Sequence, residues 1–598
     1  VVCIDIKENF NLLTSHTTSD VPKASTDKPR LSKTTIELIF PLACLLLIEI
    51  IAFGVNAKHI GVYMDEWITF DQLHSAQHNL LQLIATFNSD PRKILRPLEC
   101  LNMPVLFYFV GTKPFWYHVA SFSCEFLTAC FLYLAVTRLV SNRSVALAAA
   151  ILFLLDPVHD ATHFSIVMWD GNAALWLFTL SLFLYLKGLD EGRTALIYGS
   201  SAALLASLCE YEFALPLIIV YPMMWLLAPS FRRIKQKPDL KKFLQHQIPF
   251  ALAVGIFLVF RLRLACHDKN AYPTDLSLPH FVSIIFKGVS VNFSLGTIAY
   301  CSTLLSESIS SCSSITRWLM LVAASSCIFW SFKKADSATT SVSQCWFLSA
   351  LGATVLVASY AIFAISAIHT PNVSGWTDRI NAGGALGASL VISGLIGVLL
   401  NFIGSRNEQF TRIFNASFYA LLAAVLILIN WQCAAPWIAS WQAQRQLIAA
   451  IDEHGAMVKS GDSVIVGDIN RYAEAVVVVD QPIELENLLR SALNCKDVYG
   501  TVVSERLEMT DTALVDRIGA CILGKYPFDQ MVLFSPKKSQ WIRVSSREQF
   551  MVAANKLGWK IPQLREPGMK SQVDSYPVRS EVGRYSLTHA GTSQGFRE

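Results

Sequence analysis

About eleven runs of apolar residues, each near the length that crosses a bilayer, recur along this chain and leave it few folds to choose from. The hydrocarbon layer asks for about 20 apolar residues per helix, fewer where neighbouring helices shield the ends. The runs lie near 36–55, 115–138, 144–157, 164–186, 195–209, 213–228, 247–265, 315–332, 346–367, 383–403 and 414–432. The third, fifth and sixth are short, and residues 281–299 offer a re-entrant or additional segment. Composition agrees, since 53% of the 598 residues are hydrophobic and only 16% charged, against about 25% charged in a soluble domain. The net charge of +4 is scattered between apolar runs, which excludes a nucleic-acid surface. The expected fold is an all-α polytopic membrane protein followed by a small α/β domain.

Lys and Arg mark every second connection. Lys23, Lys28, Arg30 and Lys33 precede the first run; Arg138, Arg143, Lys187 and Arg193 occupy later turns. Arg232, Arg233, Lys235, Lys237, Lys241 and Lys242 form another basic turn, followed by Lys333 with Lys334 and by Arg406 with Arg412. Cytoplasmic loops collect such residues, so residues 1–35 are expected as a cytoplasmic tail and the C-terminal domain on the periplasmic, luminal or extracellular side.

Residues 36–432 are then the membrane domain, with a long first external loop at 56–114. In that loop Phe70, Leu73, Leu80, Ile84 and Phe87 recur at helical spacing, which predicts an amphipathic helix on the membrane surface. Trp437 to Leu447 reads as another amphipathic stretch, residues 463–468 and 475–480 as strands, and 484–494 as a helix, giving an α/β domain over 433–565. Residues 566–598 are polar and expected to be disordered. The fourteen cysteines show no CxxC pair; most read as small apolar packing residues, with one disulfide open among Cys433, Cys495 and Cys521. The sequence starts at Val1 rather than Met, which leaves room for a cleaved leader upstream.

The sharpest chemical candidate is Asp65 with Glu66, in Tyr63-Met64-Asp65-Glu66-Trp67 just after the first run. A carboxylate there can take a proton from an acceptor hydroxyl while meeting a lipid-borne donor. The bland reading is that Asp65 caps the following helix. Adjacent helical residues point about 100° apart, so one of the two is the base, and Asp65 is the expected one. Arg92, Lys93 and Arg96 close the same loop where a lipid phosphate would lie, and Arg379 in Trp376-Thr377-Asp378-Arg379 is a further phosphate ligand. Interfacial snorkelling is the alternative for all four. His159 and His163 stand four apart in a turn, one carboxylate length from the HExxH zinc motif, with no third ligand at a recognisable spacing. Histidines lining a substrate cleft are favoured over a metalloprotease. Glu210 and Glu212 sit in the tight connection between two short runs, either facing a wet cavity or paired with an external Arg.

Taken in order, these fragments resemble the GT-C superfamily of polytopic glycosyltransferases, in particular its protein O-mannosyltransferase-like branch with tetratricopeptide-repeat members. The acidic pair Asp65-Glu66 follows the first run; Arg96-Pro97-Leu98 precedes Lys113-Pro114-Phe115-Trp116-Tyr117-His118; Leu154 to His159 is similar to the family's His-Pro-Val-His turn; and Glu210 is followed by Pro216. The match covers roughly the first 230 residues. Asp156 stands where the family has the first His, Cys209 where it has Lys, and no 34-residue repeats follow the membrane domain. The resemblance implies inverting transfer of a sugar, mannose among the options, from a polyprenyl- or dolichyl-phosphate donor. It implies an acidic first-loop residue near the catalytic centre; beside it, Arg92, Lys93, Arg96, His159, His163, Glu210 and Arg379 are the candidates for substrate or lipid-phosphate binding, with membrane lipid as a partner. The acceptor stays open among protein, glycan and lipid, as does a magnesium or manganese ion at Asp65 and Glu66. A transporter or flippase of lipid-linked sugars and a non-catalytic membrane subunit are the competing classes; the former would show duplicated halves.

Overall fold

Apolar runs satisfy their backbone in lipid only by closing it into helices, and helices dominate the chain. The computed structural model describes residues 33–559 apart from 77–78, 91–92, 141, 232–239, 266–273, 313, 336–340, 368, 405–407 and 519–520. Arg92, the basic residues before the first run up to Arg30, those from Arg232 to Lys237, and the polar tail from 566 lie outside the described residues. Helix α1 (Lys33–Ala52) leads into the first loop with α2 (Asp65–Ser75), α3 (Leu80–Phe87) and α4 (Glu99–Val110). There follow α5 (Pro114–Leu139), α6 (Arg143–Leu154), α7 (Asp160–Phe164), α8 (Trp169–Glu191), α9 (Thr194–Glu210), α10 (Val220–Phe231) and α11 (Leu240–Ala265). The rest of the bundle is α12 (Leu278–Phe293), α13 (Leu295–Ser311), α14 (Ile315–Lys334), α15 (Val342–Ala361), α16 (Ala382–Gly404) and α17 (Glu408–His454).

Among the described residues nine stretches are long and apolar enough to cross a bilayer, and α6 with the 157–164 segment makes a tenth, bent by 41°. The chain is an integral multi-pass membrane protein. Contacts sort the helix ends into two faces. At one face Arg138 pairs with Asp190 at 3.1 Å and Lys334 lies over the Phe40 ring. At the other, Trp431 Nε1 donates to Ile51 O (2.8 Å), Asn430 Nδ2 to Leu155 O (3.0 Å), Leu98 N to Cys209 O (3.2 Å) and Tyr360 OH to Asn381 Oδ1 (3.1 Å). Close approach of α15 to α16 rests on Gly387, where an added Cβ would meet Leu356 N at 2.4 Å.

The stretch Leu278–Ser311 departs from this alternation. At its start Asp275 N donates to Ile365 O (3.1 Å) and Thr274 bridges Ser366, both at the end of α15. Near its finish Glu307 accepts from Gln432 Nε2 (3.1 Å), next to Asn430 and Trp431. Both ends therefore lie at one face, and α12–α13 runs across the bundle instead of through it. The other eight long helices and the bent pair are candidate passages, and 194–210 and 212–227 are shorter apolar helices beside them among the described residues. The segment at 281–299 falls within Leu278–Ser311, which is long and apolar enough to cross a bilayer yet has both ends at one face.

The 47 residues of α17 rise about 70 Å, more than twice the hydrocarbon thickness of about 30 Å. Its second half carries the chain into the C-terminal α/β region. There β1 (Ser463–Val466) lies parallel to both β4 (Tyr499–Val502) and β8 (Met531–Ser535), with β9 (Gln540–Val544) antiparallel on β8. A hairpin of β2 (Tyr472–Ala473) and β3 (Val476–Val477) and an antiparallel set of β5 (Leu507–Met509), β6 (Ala513–Ile518) and β7 (Cys521–Pro527) complete the strands. Helix α18 (Pro482–Leu493) starts with Pro at its first position and a reciprocal Gln481/Glu484 capping box; α19 (Arg547–Leu557) ends the described chain.

Two expectations change. The first-loop helix is two helices, because α2 ends at Ser75 and a second helix starts where Asn79 Oδ1 accepts from Leu81 N (3.0 Å). Its apolar face does not rest on lipid: Trp67, Phe70 and Leu73 share one core with Leu447 and Ile451 of α17 and Leu485, Leu488 and Leu489 of α18. Cys433 is buried within α17, and Cys433, Cys495 and Cys521 are all unbonded.

Candidate active site at the first loop

The loop carrying the acidic pair is held by close packing. A Cβ at Gly61 would meet the Trp441 ring at 1.8 Å, so only glycine lets the chain pass, and Tyr63 OH donates to Trp437 O (2.7 Å). Met64 then takes φ 44°, a left-handed conformation for a non-glycine residue, of the kind that stores about 1–3 kcal/mol at functional loops. It serves as the N-cap without a side-chain bond, and Asp65 is the first residue inside α2. Asp65 is therefore not the helix cap.

The two adjacent carboxylates have different surroundings. Glu66 is fully buried; its Oε2 accepts from Tyr63 N (2.8 Å) and its Oε1 from Ser165 Oγ (2.5 Å) and Val167 N (3.1 Å). Burial pushes its carboxyl up to about 8 against the pull of those bonds. Glu66 thus ties the loop to the start of α8. Asp65 is half-buried and has no hydrogen-bond or ion-pair partner among the described residues. It is the carboxylate left available.

Three residues beyond Val167, Asp170 opens a cluster of charges. Arg96 pairs with Asp170 (3.0 Å), Glu212 (3.1 Å) and Glu99 (3.5 Å), and its guanidinium lies 3.9 Å from the Tyr211 ring centre. Arg261 pairs with the other oxygen of Glu212 (3.0 Å), Lys93 with Glu99, and Asn102 donates to Glu210. Burial alone would make Lys93 and Arg96 easier to deprotonate, but the carboxylates around them more than offset this and hold both charged. Glu212, not Glu210, takes the arginines. Arg379 reaches the same place: its charge and that of Arg96 act on His369, whose imidazole is lowered to about 4, chiefly by burial. Arg379 stacks on Trp376 (4.6 Å) and has no carboxylate partner among the described residues. Of the grouped cations it is the one with an unspent charge.

His159 and His163 belong to another group. Both are buried, with ring centres 4.4 Å apart. His163 Nδ1 lies 2.6 Å from Glu125 Oε2, and Asn172 Nδ2 donates to Glu125 Oε1 (2.6 Å). Asp160, the would-be base of a protease motif, accepts from Gly375 N (3.2 Å) and Trp437 Nε1 (3.4 Å) beside Asp378. The metalloprotease geometry does not form. This group meets the turn that carries Arg379 through Asp378, which accepts from Asp160 N (2.8 Å) and Ala161 N (3.0 Å). The acidic pair likewise does not fit a divalent ion: Glu66 has spent its oxygens on protein donors, and no described set of three His, Cys, Asp or Glu is poised around a common point.

Glu99, Asn102, Asp170, Tyr211, Arg261 and His369 join the cluster without having been singled out in the sequence. For Asp170 and Arg261 a signal existed, a charge inside an apolar run. The others depend on which segments meet.

No family model matches the chain. Over 117 residues it is 30% identical to Protein O-mannosyl-transferase TMTC1 of Mus musculus, a match covering 19% of this chain and 12% of that protein. Over that stretch the chain resembles a protein O-mannosyl-transferase. The Homo sapiens protein of the same name is 30% identical over 101 residues, 17% of this chain and 12% of its own length, so the chain matches only about an eighth of each relative. Among solved structures, ArnT from Cupriavidus metallidurans bound to undecaprenyl phosphate overlaps 79% of this chain and 87% of its own, with a TM-score of 0.33 and 13% identity.

Proposed function

We propose that the chain is a GT-C-type glycosyltransferase that moves a sugar, with inversion, from a polyprenyl- or dolichyl-phosphate donor to a hydroxyl on a protein, glycan or lipid acceptor. The observation that carries this reading is the guanidinium of Arg379, which has no carboxylate partner among the described residues and stands beside paired charges at the face of Asp65. A phosphate leaving group needs a cation that is not already neutralised, and the carboxylates around Arg96 and Arg261 hold a frame for it. In the transfer, Asp65 takes the acceptor proton as the acceptor oxygen bonds to the sugar's anomeric carbon. The bond from that carbon to the phosphate oxygen breaks, and the phosphate leaves with the electron pair toward Arg379. Basic turns at Arg138, Arg143, Lys187 and Arg193 lie at the opposite face, which supports a cytoplasmic assignment there and chemistry on the outer side.

The test is transfer from a panel of polyprenyl-phosphate sugars by the purified protein in lipid, compared with Asp65→Asn. Loss of a general base lowers the rate by about 10²–10⁴-fold. Undiminished transfer by Asp65→Asn would remove the assigned base.

A further inference from the structure

The helix pair α12–α13 passes every sequence test for a membrane crossing, yet both its ends lie at one face of the bundle. Its 34 residues would be about 50 Å long, well beyond the hydrocarbon thickness of about 30 Å. A rod of that length with its ends at one level lies along the membrane.

Its sides show what it lies against. At about 100° per residue, the buried residues Ile284, Gly288 and Val291 of α12 form one stripe, and Thr297, Leu304 and Ser308 of α13 continue it. Opposite that stripe on the helical wheel stand Val282, Phe286 and Phe293 on α12; on α13 Leu295 does so, with Ile298 and Ile309 about 100–120° round from the stripe and the exposed Ser302 and Ser306 between and beyond them. All six apolar residues are exposed, Phe286 at 71% and Leu295 at 83%. A quarter-turn to the other side come Ser283, Lys287 and Ser290, then Thr303, Glu307 and Ser310. The order of the three sectors runs the same way round in both helices. A span would be apolar all round its lipid-facing perimeter; a helix in water would not keep a second apolar face. Three sectors suit a helix at the boundary, with one side on protein, one in acyl chains and one in water.

We propose that α12–α13 is an in-plane interfacial helix whose Val282, Phe286, Phe293, Leu295, Ile298 and Ile309 face is seated in the headgroup–acyl boundary of the leaflet at the Asp65 face. Its inner side meets the interior of that face: Asn292 Nδ2 donates to Tyr360 OH (3.0 Å), which in turn donates to Asn381. It forms a rim between the leaflet and the groups gathered at the helix ends, independent of which reaction they perform.

A photo-crosslinking phenylalanine analogue placed singly at Phe286, Phe293 or Lys287, in the full chain in phospholipid nanodiscs, reads the contact directly. Irradiation is expected to add the mass of one phospholipid at 286 and 293 and none above background at 287. Equal lipid adducts at 287, or adducts at 286 and 293 that join a second copy of the chain, would overturn the proposal. Sidedness is read with Ser283→Cys and Ser310→Cys in uniformly oriented sealed vesicles, as labelling by an impermeant maleimide above the parent chain. Both cysteines are expected to label from the same side; labelling from opposite sides makes α12–α13 a crossing and sinks the idea.

Discussion

The arginine cluster and the histidine cluster lie at the same face of the bundle and solve burial in opposite ways. Around Arg96 and Arg261 every carboxylate faces a cation or an amide, and the cations keep about a quarter of their side-chain surface open, 24% and 27%. Around His159 and His163 there is no described Lys or Arg; Glu125 is satisfied by Asn172 and an imidazole, and nothing is open. Charge frames held at an edge can receive a charged ligand. A fully buried network of this kind specifies packing, and its link to the turn that carries Arg379 runs through Asp160 and Ala161, whose N–H groups donate to Asp378.

That contrast can be broken by substitution. The largest effect is expected for Arg96→Ala, which leaves Asp170 and part of Glu212 buried without a partner; loss of about 3–5 kcal/mol of stability would show in thermal melting of the detergent-solubilised chain. Arg379→Ala should melt like the unmodified chain, since it breaks no ion pair, yet lose about 10²-fold or more in transfer, the scale of a preorganised electrostatic contact. If Arg379→Ala destabilises and Arg96→Ala does not, the division between frame and free charge is wrong. Glu125→Ala should cost about 1–3 kcal/mol through the stranded partners on His163 and Asn172, and transfer by the protein that remains folded should be unchanged.

A further expected effect concerns pH. Glu66 holds its proton more tightly folded, at about 8, than at its ordinary value of 4.5. Its contribution to stability is therefore complete below 4.5 and disappears as pH rises through about 8. The melting temperature of the unmodified chain should decline across that window, and the decline should flatten in Glu66→Gln. An unchanged slope would show that Glu66 is already ionised in the fold.

The bilayer-length helices were legible because hydropathy is a local property, read run by run. The pair α12–α13 was not, since an amphipathic helix with one face on protein and another in lipid is apolar over most of its perimeter and averages like a span. Only the partners of Asp275 and Glu307 distinguish the two. In the site, single charges such as Arg96, Glu212 and Arg379 announced themselves at segment ends. Which of them would neutralise each other depended on how 93–99, 169–170, 210–212 and 261 approach, and no spacing records that. An apolar helical face looks alike in sequence whether lipid or protein covers it, so the first loop carries no signal for the core it joins.

That shared core sets a timetable. Trp67, Phe70 and Leu73 find part of their packing in Leu485, Leu488 and Leu489, which a ribosome working at about 5–20 residues per second delivers roughly 20–80 seconds later. During synthesis the apolar face of α2 is finished long before its cover exists. For that interval it must be sheltered by the membrane surface or by a chaperone, and the loop bearing Asp65 reaches its final form only when nearly the last domain has folded onto it.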